Sequence, residues 1–142
     1  MKMQPYYHKA QYYETDQMGI IHHSNYIRWF EEARIDFMSK CGLSYRQMEE
    51  EGIICPVVGV ECSYKQSVKF GDDVIIVPYI KEYNGIKLTI GYNIYSADTK
   101  EICTTGESRH CFTKDNKIIS LKKISPAFHN LFEELKKAEV EI

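Results

Sequence analysis

The segment over residues 25–41 constrains this chain most, because it is apolar on more than one flank. Ile27, Phe30, Phe37, Met38 and Cys41 recur at helical spacing, with Arg34 completing the row. Tyr26, Trp29 and Ala33 form a second apolar row beside it, so the predicted helix carries a broad apolar surface. A helix of this kind needs cover on several sides, which a sheet wrapped around it supplies. Ser24 is expected to cap its start and Gly42 to end it. Residues 44–51 read as a short second helix closed by Gly52.

From Cys55 onward the period changes to two. Ile86, Leu88, Ile90, Tyr92 and Ile94 alternate with Lys87, Thr89, Gly91, Asn93 and Tyr95, the pattern of a strand with one buried face. Asn84-Gly85 between strands over 74–83 and 86–95 predicts a tight hairpin, since both residues tolerate positive φ. Thr99-Lys100 and Asp115-Asn116-Lys117 supply turns on either side of a strand over 101–113. Upstream, Tyr6, His8, Ala10 and Tyr12 are expected on one face of a strand over 6–13. Phe128, Leu131, Phe132 and Leu135 mark a last amphipathic helix over 126–137. Strand, long helix, short helix and then at least four consecutive antiparallel strands make an α+β pattern, which disfavours a doubly wound parallel sheet. With 142 residues, four prolines and no repeat or linker, residues 1–142 are expected to form one domain.

Composition removes several functions. Eighteen Lys+Arg against 20 Asp+Glu give a formal charge of −2, which argues against a phosphate-dominated grip on nucleic acid. No segment approaches the roughly 20 apolar residues of a membrane span. The start, Met1-Lys2-Met3-Gln4-Pro5-Tyr6, lacks the apolar run of a signal peptide, so a cytoplasmic location is expected. Cys41, Cys55, Cys62, Cys103 and Cys111 are odd in number, form no C-x-x-C pair and fall in apolar patterns, and read as reduced core thiols. A domain of this size buries roughly two-thirds of its unfolded surface. It has few residues left to enclose a pocket, and an enzyme of this length acting on a sizeable substrate would place its site at a subunit interface.

The densest polar cluster outside the charged helix faces is Glu14-Thr15-Asp16-Gln17-Met18-Gly19-Ile20-Ile21-His22-His23-Ser24-Asn25-Tyr26, between a strand and the long helix. The first turn of a helix leaves N–H groups unpaired, and these with the helix dipole stabilise an oxyanion. Asp16 can face that point if Gly19 turns the chain back. A base or nucleophile beside a polarising N–H is the minimum equipment for acyl transfer.

The run Thr15-Asp16-x-x-Gly19-Ile20-Ile21-x-His23-x-Asn25-Tyr26, followed by Trp29-Phe30-Glu31-x-Ala33-Arg34, resembles the signature of the 4-hydroxybenzoyl-CoA thioesterase family of hotdog-fold acyl-CoA thioesterases. The resemblance implies a long helix lying in a curved antiparallel sheet, with subunits joined edge to edge as a homodimer or a dimer of dimers and active sites at the interface. It implies hydrolysis of an acyl-CoA to the free acid and CoA, with Asp16 as nucleophile or general base and the backbone N–H of His23 polarising the thioester carbonyl. Gly19, Ile20, His22, Asn25 and Tyr26 are the implied substrate contacts, and neither a cofactor nor a metal is called for. His22 departs from the aromatic Tyr or Trp common in relatives, which bears on the acyl pocket.

Other readings compete with these. Asp16 could be a plain turn residue and His23 a packed interface histidine. A metal at His22-His23, with His8, His110 or His129, is disfavoured because neighbouring side chains point apart and no ligand spacing accompanies them. Glu31 and Glu32 read as a solvated or salt-bridged helix face. Lys65, Lys69, Lys87, Arg109, Lys122 and Lys123 are the candidate contacts for CoA phosphates. The alternative functions are a non-catalytic acyl-CoA or acyl-carrier binding module and a hotdog hydratase or dehydratase.

Overall fold

The alternating segments assemble into a five-stranded antiparallel sheet in the computed structural model, which describes residues 2–142. In chain order the elements are β1 (Lys2–Met3), β2 (Tyr6–Lys9), α1 (Ser24–Lys40), α2 (Tyr45–Glu50), β3 (Ile53–Ile54), β4 (Val57–Tyr64), β5 (Asp73–Tyr83), β6 (Lys87–Ser96), β7 (Ile102–Cys111), β8 (Thr113–Lys114), β9 (Lys117–Ile118), α3 (Leu121–Ile124), α4 (Pro126–Lys136) and β10 (Glu139–Val140). The main sheet runs β2-β5-β6-β7-β4, which leaves β4 as an edge strand. Small β1-β10 and β3-β8-β9 sheets flank it. Bulges interrupt the pairing at Val57/Gly59, Ile80/Glu82 and Ile94/Tyr95, and such irregularities bend and twist strands.

Helix α1 packs on this sheet as its broad apolar surface requires. Tyr26, Trp29, Phe30, Ala33, Phe37 and Met38 are buried, so the core-facing arc lies between the two expected rows. Ile27 instead stays 43% exposed, and Cys41 is half-buried. The Phe30 ring stacks on Tyr92 of β6 with centroids 4.3 Å apart and planes 7° from parallel. Ser24 is the first helical residue rather than the cap; His23 occupies the cap position, and the Ser24 hydroxyl pairs with His22 Nδ1 at 2.8 Å.

Three sequence expectations change at element ends. The strand predicted over 6–13 stops at Lys9, because the Glu14 carboxylate takes the Gln11 N–H and draws Tyr12–Glu14 into a 3₁₀ turn; Tyr12 is left 75% exposed. The strand over 101–113 divides at buried Phe112, after which β8 pairs with β3. At the β5–β6 hairpin only Gly85 takes positive φ (90°), while Asn84 Oδ1 accepts the N–H groups of Ile86 and Lys87 at 2.9 and 2.7 Å. The turn with two consecutive left-handed residues is Asp115-Asn116, at φ 53° and 62°.

Close approach of α1 to the sheet depends on Gly106 of β7, which pairs with Tyr92. A Cβ there would lie 2.5 Å from Phe30 Cζ and 2.6 Å from the Glu61 carbonyl oxygen. Gly106→Ala is therefore expected to destabilise the protein by about 1–3 kcal/mol through overpacking, read as a lower urea midpoint. An unchanged midpoint would show that helix and sheet can separate freely at this point.

Candidate active site

The loop after the 3₁₀ turn doubles back on itself. The Asp16 N–H donates to the Ile20 carbonyl at 2.9 Å and the Gly19 N–H to the Asp16 carbonyl at 3.0 Å, while Thr15 bridges to Ile21. Gly19 makes the reversal with φ 79°, a conformation that a Cβ penalises. The returning strand is tied to the main body by Ile21 N–H to Val68 O at 2.8 Å and by a bridge between Ile20 and Lys69. Asp16 Oδ1 accepts the Met18 N–H at 2.8 Å, an Asx turn; Oδ2 has no partner among the described residues.

Glu14 fixes this loop from below. It is 4% exposed, yet its Oε1 accepts from His8 Nε2 at 2.9 Å and from Gln11 N–H at 2.8 Å, and its Oε2 accepts from Trp29 Nε1–H at 2.6 Å. Burial alone would raise its pKa; these donors outweigh burial and hold the carboxyl below its ordinary value. His8 Nε2 is then the donor, since an ionised carboxylate can only accept. The Glu14 carbonyl also accepts, from His22 N–H at 2.8 Å and from Asn25 Nδ2 at 2.9 Å. One residue thereby orients both the approach to α1 and its first turn.

Asp16, Ile20, His23 and Tyr26 line one depression of about 230 Å³, together with Tyr64 and Lys65 from the end of β4. His23 caps α1, and its N–H has no acceptor among the described residues. Its carbonyl accepts the Tyr64 hydroxyl at 3.2 Å. Burial, then the neighbouring Cys62 sulfur, pushes the Tyr64 phenol up to about 12, and burial does the same to Tyr26, so both keep their protons at neutral pH. Asp16 and His23 thus line one cavity, and an Asp16 oxygen and the His23 N–H lack partners among the described residues; a base or nucleophile and a polarising N–H are the groups that acyl transfer requires.

Gly19, His22 and Asn25 lie outside the lining; Gly19 shapes the loop, and the buried Asn25 amide is turned to Glu14. The His22 and His23 rings do not point apart but stack, with centroids 4.1 Å apart. Of the six basic candidates, Lys65 lines the depression and Lys69 sits beside it on the Ile20 bridge. Arg109 is engaged by Glu61 and Glu107, at 3.1 and 3.2 Å. Lys87, Lys122 and Lys123 lie by the Gly85 hairpin at the far end of the sheet. Glu32 faces His8 Nδ1 at 3.5 Å, while Glu31 is exposed. Sequence reasoning missed Glu14 and Tyr64. Gln11-x-x-Glu14 has the spacing of a capping box and could have signalled the first. Tyr64 reaches the site only through the pairing of β4, and no local pattern marks it.

Comparison with known proteins is consistent with this chemistry. The sequence profile of the thioesterase-like superfamily matches residues 11–138. A Bacillus subtilis (strain 168) protein provisionally described as the acyl-CoA thioesterase YneP is 35% identical over 130 residues, covering 91% of this chain and 94% of its own. The 4-hydroxybenzoyl-CoA thioesterase of Pseudomonas sp. (strain CBS-3) is 32% identical over 78 residues, 53% of this chain and 55% of its own. Among solved structures, a DHNA-CoA thioesterase from Staphylococcus aureus superimposes with a TM-score of 0.89 at 34% identity, covering 96% of this chain and 93% of that one.

Replacing the buried Glu14 anion tests whether it organises the loop. Glu14→Gln leaves the donors of His8 and Trp29 facing a neutral amide and is expected to cost about 3 kcal/mol in chemical denaturation. Because the folded pKa of Glu14 lies below its ordinary 4.5, its contribution is complete above that pH and is lost as pH falls through the folded value. The variant should show a shallower acid limb of stability than the wild type; an identical limb would remove Glu14 from this role.

Proposed function

Because the chain belongs to the thioesterase-like superfamily, we propose that it hydrolyses the thioester of a small or medium acyl-CoA to the free acid and CoA. The observation that carries this reading is the shared depression of Asp16 and His23, with a free carboxylate oxygen and an unpaired helix-terminal N–H. The thioester carbonyl oxygen accepts the His23 N–H, and the positive end of the helix dipole opposes the charge that develops on it. Asp16 then acts in one of two ways. As a base it takes a proton from water, whose oxygen bonds to the acyl carbon; the C–S bond breaks, and the CoA thiolate recovers the proton. As a nucleophile its oxygen bonds to the acyl carbon while C–S breaks and the CoA thiolate leaves; the oxygen of water then bonds to the acyl carbon, the anhydride bond to Asp16 breaks to restore the carboxylate, and the proton lost by water passes to the thiolate. Lys65 at the rim is placed to meet a CoA phosphate.

A depression of about 230 Å³ is smaller than the roughly 300 Å³ at which small-molecule sites begin, so one chain holds part of a site. The second part comes from another copy. Strand β4 is an unpaired edge, and Val57, Val58 and Tyr64 along it are 47%, 64% and 49% exposed. Antiparallel pairing of two β4 strands about a two-fold axis covers that edge and makes a homodimer, from which a dimer of dimers can be built. No helix among the described residues is long and apolar enough to cross a membrane.

Two other readings have less support. A hydratase reading asks for a loop histidine partnered by a carboxylate on the central helix, and none of the α1 carboxylates Glu31, Glu32 and Asp36 lines the depression. A binding module would hold acyl-CoA in the same depression and is separated from the hydrolase reading by turnover.

A panel of acyl-CoAs with a thiol-trapping dye tests the activity. Asp16→Asn is expected to lower kcat/KM by at least about a hundredfold, the contribution of a positioned base. Saturable acyl-CoA binding with no thiol release would make the protein a binding module instead. Sedimentation is expected to give a dimer or a multiple of it; an active monomer would refute the interface site.

A further inference from the structure

Arg34 is a buried cation with no anionic partner among the described residues. It is 7% exposed in the middle of α1, its Nε donates to Tyr45 Oη at 3.0 Å and its Nη1 to Tyr92 Oη at 3.2 Å. Nη2 has no acceptor among the described residues, and no carboxylate there forms an ion pair with the guanidinium. The hydrogen bonds continue from Tyr92 to Ser108 Oγ at 2.7 Å and on to His110 Nε2 at 2.7 Å. All of these partners are neutral at pH 7. Burial pushes Tyr45 up to about 12 and raises Tyr92, and burial together with Arg34 pushes His110 down to about 4. A buried charge held only by neutral groups is costly unless something else meets it.

Arg34 lines two adjoining depressions of about 320 and 220 Å³, which also share Glu31 and Val57. Ile27, Phe30 and Val60 give the smaller one apolar walls. Glu31 and Glu49 stand at the exposed rim of the larger. This groove flanks the Val57 end of β4, and the Asp16 depression flanks the Tyr64 end. Antiparallel self-pairing of β4 reverses that order across the two-fold axis. It sets the Val57 end of each strand beside the Tyr64 end of the other, so the groove of one subunit faces the thioester site of the other.

We propose that Arg34 recognises an oxygen, carboxylate or hydroxyl, at the far end of the acyl group whose thioester lies at Asp16 and His23 of the other subunit. The proposal rests on the thioesterase and dimer reading above. The apolar walls take the body of the acyl group, and the open edge of the guanidinium takes its terminal oxygen in a charge-assisted hydrogen bond. Arg34 is then a specificity determinant and takes no part in bond breaking.

The test compares kcat/KM for matched substrates by thiol release: adipoyl-CoA against hexanoyl-CoA for a carboxylate, and 4-hydroxybenzoyl-CoA against benzoyl-CoA for a phenol. In at least one pair the wild type is expected to favour the oxygenated member by about tenfold or more. Arg34→Met should bring that ratio close to one, and a general loss of activity cancels in the ratio. Where Arg34→Met does not fold, Arg34→Lys, which loses the planar fork, should lower the ratio severalfold. Ratios near one for the wild type, or a ratio unchanged by substitution, overturn the assignment. Co-assembling Asp16→Asn with Arg34→Met subunits then locates the residue. If Arg34 acts across the interface, mixed dimers contain one fully wild-type site and recover the wild-type ratio; failure to recover it refutes the cross-subunit placement. Thiol release from none of the four substrates is a failure of the hydrolase reading itself, and the Arg34 assignment falls with it.

Discussion

The buried carboxylate of Glu14 is the interaction on which the rest of this structure depends. Its oxygens gather His8 of β2, the backbone of Gln11 and the indole of Trp29 on α1, while its carbonyl takes the His22 N–H and the Asn25 amide. Strand β2, the 3₁₀ turn and the first turns of α1, all within residues 8–29, are thereby fixed to one another within hydrogen-bond distances. A buried anion is tolerable here because nearly every acceptor position it presents is filled by a donor. The loop bearing Asp16 departs from this residue and the helix bearing His23 returns to it, so the geometry of the candidate site is inherited from a side chain that does not line it.

The edge strand β4 has a comparable influence on the other side of the helix. Tyr64 at one end closes the Asp16 depression, and Val57 at the other end borders the Arg34 groove. A single strand therefore links both cavities, and any antiparallel pairing through its open edge must bring unlike ends together. The small size of each cavity and the unpaired edge are two aspects of one fact: in the proposed dimer, surfaces that are incomplete in a single chain complete each other.

Periodicity was sufficient to read much of this. The broad apolar surface of α1 and the shift to period two after Cys55 locate the helix and the sheet, and Gly19 between Asp16 and His23 signals the loop that brings them to one cavity. What escaped depends on partners distant in sequence. The end of β2 at Lys9 follows from where Glu14 is held, the break at Phe112 from pairing with β3, and the role of Tyr64 from the position of β4 against α1. Arg34 was visible as a charge in an apolar row, but its neutral surroundings come from Tyr45, Tyr92 and Ser108, which only the folded chain assembles.

The contrast between the two buried charges separates structure from recognition. Glu14 is an anion whose oxygens are met by three donors from this chain, so it needs nothing further and can serve as a fixed support. Arg34 is a cation whose partners are phenols and whose remaining edge opens on a groove. If its only purpose were to brace α1, an apolar side chain of similar length would brace it at lower cost, since neutral partners repay little of the desolvation of a charge. Phenolic acceptors do, however, hold the planar guanidinium in one orientation without neutralising it. That combination is suited to a charge kept available for a ligand, because an anionic partner within the chain would have consumed the attraction that a substrate oxygen is left to supply.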